Sequence, residues 1–387
     1  MRIIDGIPVF GDADEGTLNQ IKNCAKTAEK VALMADNHRG YAVPIGGVVA
    51  YHDAISPSGV GYDIGCGNKA VRLDCDAAEI KSKIGMIMDD VFQNISFGIG
   101  RKNAEQVDHP LFDDPAWTDV QALFGLKDLA RQQLGTVGSG NHYVDIFVDE
   151  QDRVWIGVHF GSRGLGHKTA TFFLKAGGAV DGMDADPLVI STNTYLGQDY
   201  IEAMILVGQY AYAGRDWVCQ RVAKMLGGTI VESIHNHHNY AWKENGLWVV
   251  RKGATPAFPG QTGFIGGSMA ENAVIVEGVQ DGSTEYTLSS TIHGAGRIMG
   301  RMEAIGKTDK KTGLVKRVGR VSQQMMDGWV QKAGVELRGA GIDESPDCYK
   351  RLPEVLREQG SGIKILHTLT PIGVAMAGKD VRDPYKD

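Results

Sequence analysis

The chain is predicted to form an α+β fold with largely antiparallel sheets and packed helices, in one large domain or in two of which the second is an insertion or an intimate neighbour. Three observations carry this. Runs of alternating apolar residues come in pairs joined by short polar turns, the pattern of β-hairpins. The helical periods stand apart from these pairs, which argues against a doubly wound parallel sheet. No internal repeat, low-complexity tract or Pro/Ser linker divides the 387 residues.

In chain order, "GTLNQIKNCAKTAEK" has helical spacing and "VALMAD" after it reads as a short apolar strand. "DAAEIKSKIGMIMDDVFQNI" is a second amphipathic helix. "NHYVDIFVDEQDRVWIGVHF" is a hairpin turning between Asp149 and Arg153. "GQDYIEAMILVGQYAYAGRDWVCQRVAKML" is a long, strongly apolar helix. "NHHNYAWKENGLWVVRKGAT" is a second hairpin around Lys243 to Gly246, and "NAVIVEGVQDGSTEYTLSS" a third, turning at Asp281-Gly282.

Composition narrows the class. With 43% hydrophobic and 22% charged residues the chain reads as a soluble globular protein. No run approaches the roughly 18 apolar residues of a membrane span, and "MRIIDGIPVFGDADEG" has no secretory apolar region, so the expectation is no membrane and a cytoplasmic location. The five cysteines (Cys24, Cys66, Cys75, Cys219, Cys348) are scattered and never in CxxC spacing, against a disulfide framework or a zinc ribbon. Cys24, Cys75 and Cys219 are expected to be small buried hydrophobes. Net charge is -7, yet Arg297 to Arg320 holds eight Lys/Arg against Glu303 and Asp309, a phosphate-binding surface or a solvated helix and turn.

The chemistry-bearing residues fall at element ends. Asp63 and Cys66 lie three apart among glycines in "GVGYDIGCGNKAVRL", where a carboxylate and a thiol serve a bound object better than a core. His142 begins one strand of the first hairpin and His159 ends the other, so antiparallel pairing brings both to one end of the sheet. His235, His237 and His238 open the second hairpin, and His293 follows the third. On a strand, His235 and His237 share one face and His238 takes the other. A thiolate, a carboxylate and several imidazoles suit Mn, Zn, Fe or Co, and ligand softness alone does not choose among them. "GTVGSGNH", "HFGSRGLGHK", "GGSMAEN" and "HGAGR" are small-residue loops whose N–H groups suit anionic oxygens, but none is a Walker A or dinucleotide fingerprint. His38 and His52 sit in neighbouring loops, His167 at a helix start, and His109 and His367 read as ordinary surface or core residues.

In these segments the chain resembles the RtcB-type RNA-splicing ligases. The matching stretches run nearly end to end: "MADNHRGYAVPIGGVVAY", "GVGYDIGCGNKAVRL", "GTVGSGNHYVDIF", "GVHFGSRGLGHK", "HHNYAW", "VVRKGATPAFPGQ", "GGSM", "STIHGAGR" and "LTPIGVAMAG". The resemblance implies a single compact domain over residues 1–387 around a central metal and GTP cleft, with two Mn(II) ions and GTP as cofactors. It implies the joining of RNA 2',3'-cyclic phosphate or 3'-phosphate ends to 5'-hydroxyl ends, in tRNA splicing or RNA repair, with an activating protein as a further candidate partner. By the same resemblance Cys66 bridges the metals, one completed by His142 and His159, the other by Asp63 and His238. His293 is the nucleophile that carries GMP. Asn141 binds GTP phosphate, while Ser268, Gly294, Ala295, Gly296 and Tyr349 line the guanosine pocket; Arg163 and Arg297 are candidate phosphate or RNA contacts.

The chain departs from the family pattern at Asp145, where many members have Glu, at Ala273, near an expected hydroxyl, and at Ala377, with Lys379 displaced. These departures fall on the guanine-recognising edge. Two other readings fit part of the pattern. A metal-dependent phosphatase or cyclic phosphodiesterase would use the same Asp/Cys/His centre with water and has no need of His293. A non-catalytic RNA-binding protein would rely on the basic segment and tolerate loss of the ligands, all of which are present.

Overall fold

The computed structural model describes residues 1–180, 182–308, 312 and 314–378. Two large sheets carry the α+β architecture, and most of their pairings are antiparallel. The first has six strands in the order Arg2–Ile4, Ile7–Val9, Lys30–His38, Ile45–His52, Leu247–Lys252 and Asn239–Glu244. The second runs Ile230–His237, Gly67–Asp76, Arg153–Phe160, Tyr143–Asp149, Ile363–Gly378, Ala273–Gly278 and Thr262–Ile265, with Glu336–Ala340 joining Ile363–Gly378 in parallel.

Local chemistry sets the helix starts. The Asp14 carboxylate accepts from the Thr17 N–H at 2.9 Å and opens helix Glu15–Ala25, and Asp76 does the same for Ala77–Asn94 through Glu79 at 2.8 Å. Thr194 caps Tyr195–Leu226, which closes on Gly227 in the left-handed conformation. At 32 residues this helix spans about 48 Å and serves both cores. Its first half packs Tyr200, Ala203, Met204 and Val207 with Val49, Tyr51 and Val250 of the six-stranded sheet. Its second half packs Val218, Cys219 and Val222 with Val71, Val144 and Val158 of the other. A helix that is apolar nearly all round is a buried helix, and here its position explains the composition. Among the described residues no helix is long and apolar enough to cross a membrane.

The first two expected hairpins form, with Tyr143 opposite His159 and Phe147 opposite Trp155 in one, and Ala241 opposite Val250 in the other. The third does not. Ala273–Gly278 pairs with Thr262–Ile265 on one side and Ile363–Gly378 on the other. The Asp281 carboxylate accepts from Ser283 and Thr284 and closes a compact turn, and Leu288 and Ser289 have positive φ, which no strand permits. The turn signal at Asp281-Gly282 is therefore real, while the strand partner comes from a segment some ninety residues away in sequence. Cys24 and Cys219 are buried as expected; Cys75 is only half-buried, its Sγ facing the Leu226 carbonyl.

Trp155 anchors the middle of the eight-stranded sheet. It is fully buried beside Phe147 and Phe264, and its Nε1–H donates to Asp149 Oδ2 at 2.8 Å. Trp155→Ala should therefore lower unfolding stability by about 3–5 kcal/mol in urea titration. A loss below about 1 kcal/mol would contradict the packing described here.

Candidate active site

The register of the eight-stranded sheet assembles the site. Gly67 lies opposite His237 on one neighbouring strand and Phe160 on the other, and His159 lies opposite both Asn68 and Tyr143. The strand-end residues Cys66, His142, His159 and His238 are thereby brought to one edge. Cys66 Sγ lies 3.3 Å from His159 Nε2 and 3.6 Å from His142 Nε2, and His142 Nε2 lies 3.2 Å from Asp63 Oδ2. The His159 and His238 rings are 4.9 Å apart.

Two triads result. The ligand atoms of Asp63, Cys66 and His142 lie within 4.8 Å of one another, as do those of Cys66, His159 and His238. The side chains group otherwise than the resemblance implies: Asp63 lies with His142, and His159 with His238. The reason is steric and local. The Ser162 N–H holds Asp63 Oδ1 at 3.0 Å, which turns the carboxylate toward His142, while the sheet places His159 beside His238. Gly161 makes room for this carboxylate, since a Cβ there would fall on it.

The electrostatics suit a metal. Burial pushes the Asp63 carboxyl up, but the hydrogen bond and charge of His142, with Arg163, outweigh it and hold it at about 2. Burial, then the neighbouring His142 and His293, pushes His159 well down; burial, His293 and His159 do the same to His238. Both imidazoles are neutral and offer lone pairs. His142 Nδ1 and His238 Nδ1 are buried without a hydrogen-bond partner. A carboxylate, a thiol and three imidazoles gathered within ligand distance fit borderline divalent cations, with Cys66 as the shared corner.

His293 stands beside this cluster, its ring 4.7 Å from that of His238. Its Nδ1 is 2.6 Å from Oδ2 of Asp36, a fully buried carboxylate that also accepts the His293 and Gly294 backbone N–H groups at 2.9 and 3.3 Å. Nδ1 donates to the carboxylate, and in the neutral ring the lone pair then lies on Nε2. The reading of the sequence gave Asp36 no role. The available signal was its place at the polar end of an apolar strand, in the matched stretch "MADNHRG".

Asn141, Ser268, Gly294, Ala295, Gly296 and Tyr349 line one cavity with His293 and the five metal-ligand candidates. His38 lines it too, held neutral by burial with a pKa near 4; His52 is exposed beside Asp53. His235 and His237 turn away from His238 and meet Arg215. Both end a strand of the eight-stranded sheet, so the three histidines do not open the second hairpin together. Asp145 lines the cavity, buried, with Oδ1 unpartnered and its carboxyl pushed well up by burial. Ala273 does not: it packs with Phe147, Trp155 and Phe264 in the core. Lys379 lies outside the described residues.

The candidate arginines are engaged internally. Arg163 donates to the Gly98 carbonyl and Thr136 Oγ1, and Arg297 to Tyr349 Oη and the Asp343 carbonyl. In the basic segment Arg301 pairs inward with Asp343 and Glu344, whereas Lys307, Lys316, Arg317 and Arg320 are exposed; Asp309, Lys310 and Lys311 lie outside the described residues. His167 stacks on Tyr62 next to Asp63. His109 caps a short turn, and His367 pairs with Glu150.

A site of this kind defines a class, α+β proteins whose clustered carboxylate, thiol and imidazoles could hold a divalent metal beside an imidazole oriented by a buried carboxylate. The family model described as tRNA-splicing ligase RtcB matches residues 17–377, and the chain belongs to that family. It is 30% identical to an RNA-splicing ligase RtcB of Escherichia coli (strain K12), over 95% of this chain and 94% of that protein. It is 29% identical to a tRNA-splicing ligase RtcB of Thermococcus kodakarensis, over 89% and 86%.

Two substitutions test the shared corner. Cys66→Ser should weaken Mn(II) or Co(II) binding by at least about tenfold, measured by equilibrium dialysis, with far-UV circular dichroism unchanged. Gly161→Ala removes no donor yet displaces the Asp63 carboxylate, and should lower metal retention in the same assay; wild-type retention in both variants would refute the arrangement.

Proposed function

We propose that the chain is an RNA ligase that joins 2',3'-cyclic phosphate or 3'-phosphate ends to 5'-hydroxyl ends, acting as one domain with GTP and two Mn(II) ions. The observation that carries this reading is the Asp36–His293 pair, which aims an imidazole lone pair into the cavity that the ligand cluster shares. Family membership supports the RNA ligase class, and the naming of the curated relatives as RNA- or tRNA-splicing ligases supports RNA as substrate.

In this reading His293 Nε2 attacks the α-phosphorus of GTP. A P–N bond forms as the bond to the pyrophosphate oxygen breaks, and pyrophosphate leaves. The proton stays on Nδ1, hydrogen-bonded to Asp36, whose carboxylate offsets the positive charge of the substituted ring. An oxygen of the RNA 3'-phosphate then displaces His293 from the same phosphorus, giving a guanylylated RNA end. The 5'-hydroxyl attacks the RNA phosphorus, loses its proton, and GMP departs. A cyclic end first takes up water to become the 3'-phosphate. Two Mn(II) ions held by Asp63, Cys66, His142, His159 and His238 would supply positive charge against the triphosphate and RNA phosphate oxygens. Asn141 would hold phosphate, and Ser268, Gly294, Ala295, Gly296 and Tyr349 would line the nucleoside. A phosphatase or cyclic phosphodiesterase would use the same ligands with water, and would leave the Asp36–His293 pair without a task.

The test is intact mass after incubation with GTP and MnCl₂. We expect an acid-labile, alkali-resistant adduct of one GMP, absent in His293→Ala. Asp36→Asn keeps the side-chain shape and loses the charge, and should slow adduct formation by about a hundredfold or more. An adduct in His293→Ala excludes that residue as nucleophile, and no adduct in the wild-type protein brings the hydrolase reading forward.

A further inference from the structure

Behind the ligand cluster lies a cation that the reaction above does not use. Arg215 stands midway along Tyr195–Leu226, where the helix passes from one core to the other, and it is wholly buried. Its guanidinium meets four partners. Nη1 donates to the carbonyls of Gly65, at 2.9 Å, and Phe160; Nε donates to His235 Nε2 at 2.8 Å, and Nη2 lies 3.0 Å from His237 Nδ1, which is itself 2.9 Å from the Gly65 carbonyl.

Three of these partners adjoin metal-ligand candidates. Gly65 precedes Cys66, Phe160 follows His159, and His237 precedes His238. One planar group thus contacts the chain beside all three members of the Cys66, His159, His238 triad, which come from a loop, a strand and the junction between two further strands. Among the described residues no carboxylate bonds to it directly; Asp216 pairs with Lys69 and lies 3.4 Å from His235 Nδ1. Pure stability does not favour a buried guanidinium with neutral partners, because an apolar residue of similar volume avoids its desolvation. Its rigid fork, though, holds several acceptors at set distances, which an apolar chain or a lysine ammonium does not.

We propose that Arg215 is a positioning residue for the metal site, setting the spacing of Cys66, His159 and His238 from behind. This rests on the metal-binding reading. Groups that orient ligands from outside the coordination sphere commonly change metal affinity by about 10- to 100-fold when removed.

The test is titration of the metal-free, full-length protein with Co(II), following the thiolate-to-cobalt charge-transfer band and the visible d–d bands. Arg215→Met and Arg215→Lys should raise the apparent Kd by about 10- to 100-fold, less for Lys, and shift the d–d bands as the geometry relaxes. Arg251→Lys is the control, since Arg251 is equally buried but faces Glu244, Ser290 and the Leu288 carbonyl. It should lower the melting temperature and leave cobalt affinity and spectrum unchanged. If Arg215→Met does not fold, Arg215→Lys, which keeps charge and length, carries the test. Wild-type affinity and spectrum in the Arg215 variants, or an equal loss in Arg251→Lys, overturns the proposal alone. Absence of a thiolate–cobalt band in the wild-type protein overturns it together with the metal-binding reading.

Discussion

Everything in the site depends on the pairing of Gly67–Asp76 with its two neighbours. This strand lies between Ile230–His237 and Arg153–Phe160, and Gly67 faces His237 on one side and Phe160 on the other. A slip of one residue would turn every side chain to the opposite face. It would separate Cys66 from His159 and move His238 off the cluster. The register is held by burial, since Ala70 and Val71 on the central strand and Val158, Trp155 and Ile234 on its neighbours are all buried. The same hydrophobic pattern that stabilises the sheet therefore sets the spacing of the polar atoms at its end.

Burial also assigns the protonation states. An imidazole removed from water loses its proton more readily, and a carboxylate keeps its charge only where donors compensate. His159 and His238 are pushed to the neutral form, while Asp63 remains ionised against His142. Asp36 performs a different task with the same chemistry. Its carboxylate, at the end of Lys30–His38, takes three N–H groups from residues 293 and 294. Neutral donors for a cation and a single-tautomer imidazole thus arise side by side from one dry environment.

The two large sheets meet through shared elements. Tyr195–Leu226 runs through both cores, and His238 lies between His237, which ends a strand of one sheet, and Asn239, which begins a strand of the other. The Gly65 N–H donates to the Asn239 carbonyl at 2.8 Å, and the His238 N–H to the Cys66 carbonyl at 2.8 Å, so the ligand loop is bonded to this junction. The cavity lies at a seam where two packed bodies constrain it, which suits groups that must keep fixed distances.

Period, turn chemistry and composition by themselves determined the class of the fold, its main helices, two hairpins and the small-residue loops. They also brought His142 and His159 to one end of a sheet, because antiparallel pairing of adjacent strands is a local consequence of sequence. Asp63, Cys66 and His293 stood out because polar ligand types beside glycine are poor core material, whereas His238 was set apart from His235 and His237 by the family resemblance. Long-range packing decided the rest. Whether Asp63 would meet His142 or His238, which strand would pair with Ala273–Gly278, and that Asp36 would reach His293 all depend on contacts between segments far apart in the chain. Such contacts have no periodicity to read: they follow from which buried surfaces fit together, and the polar groups they enclose must then find partners among themselves.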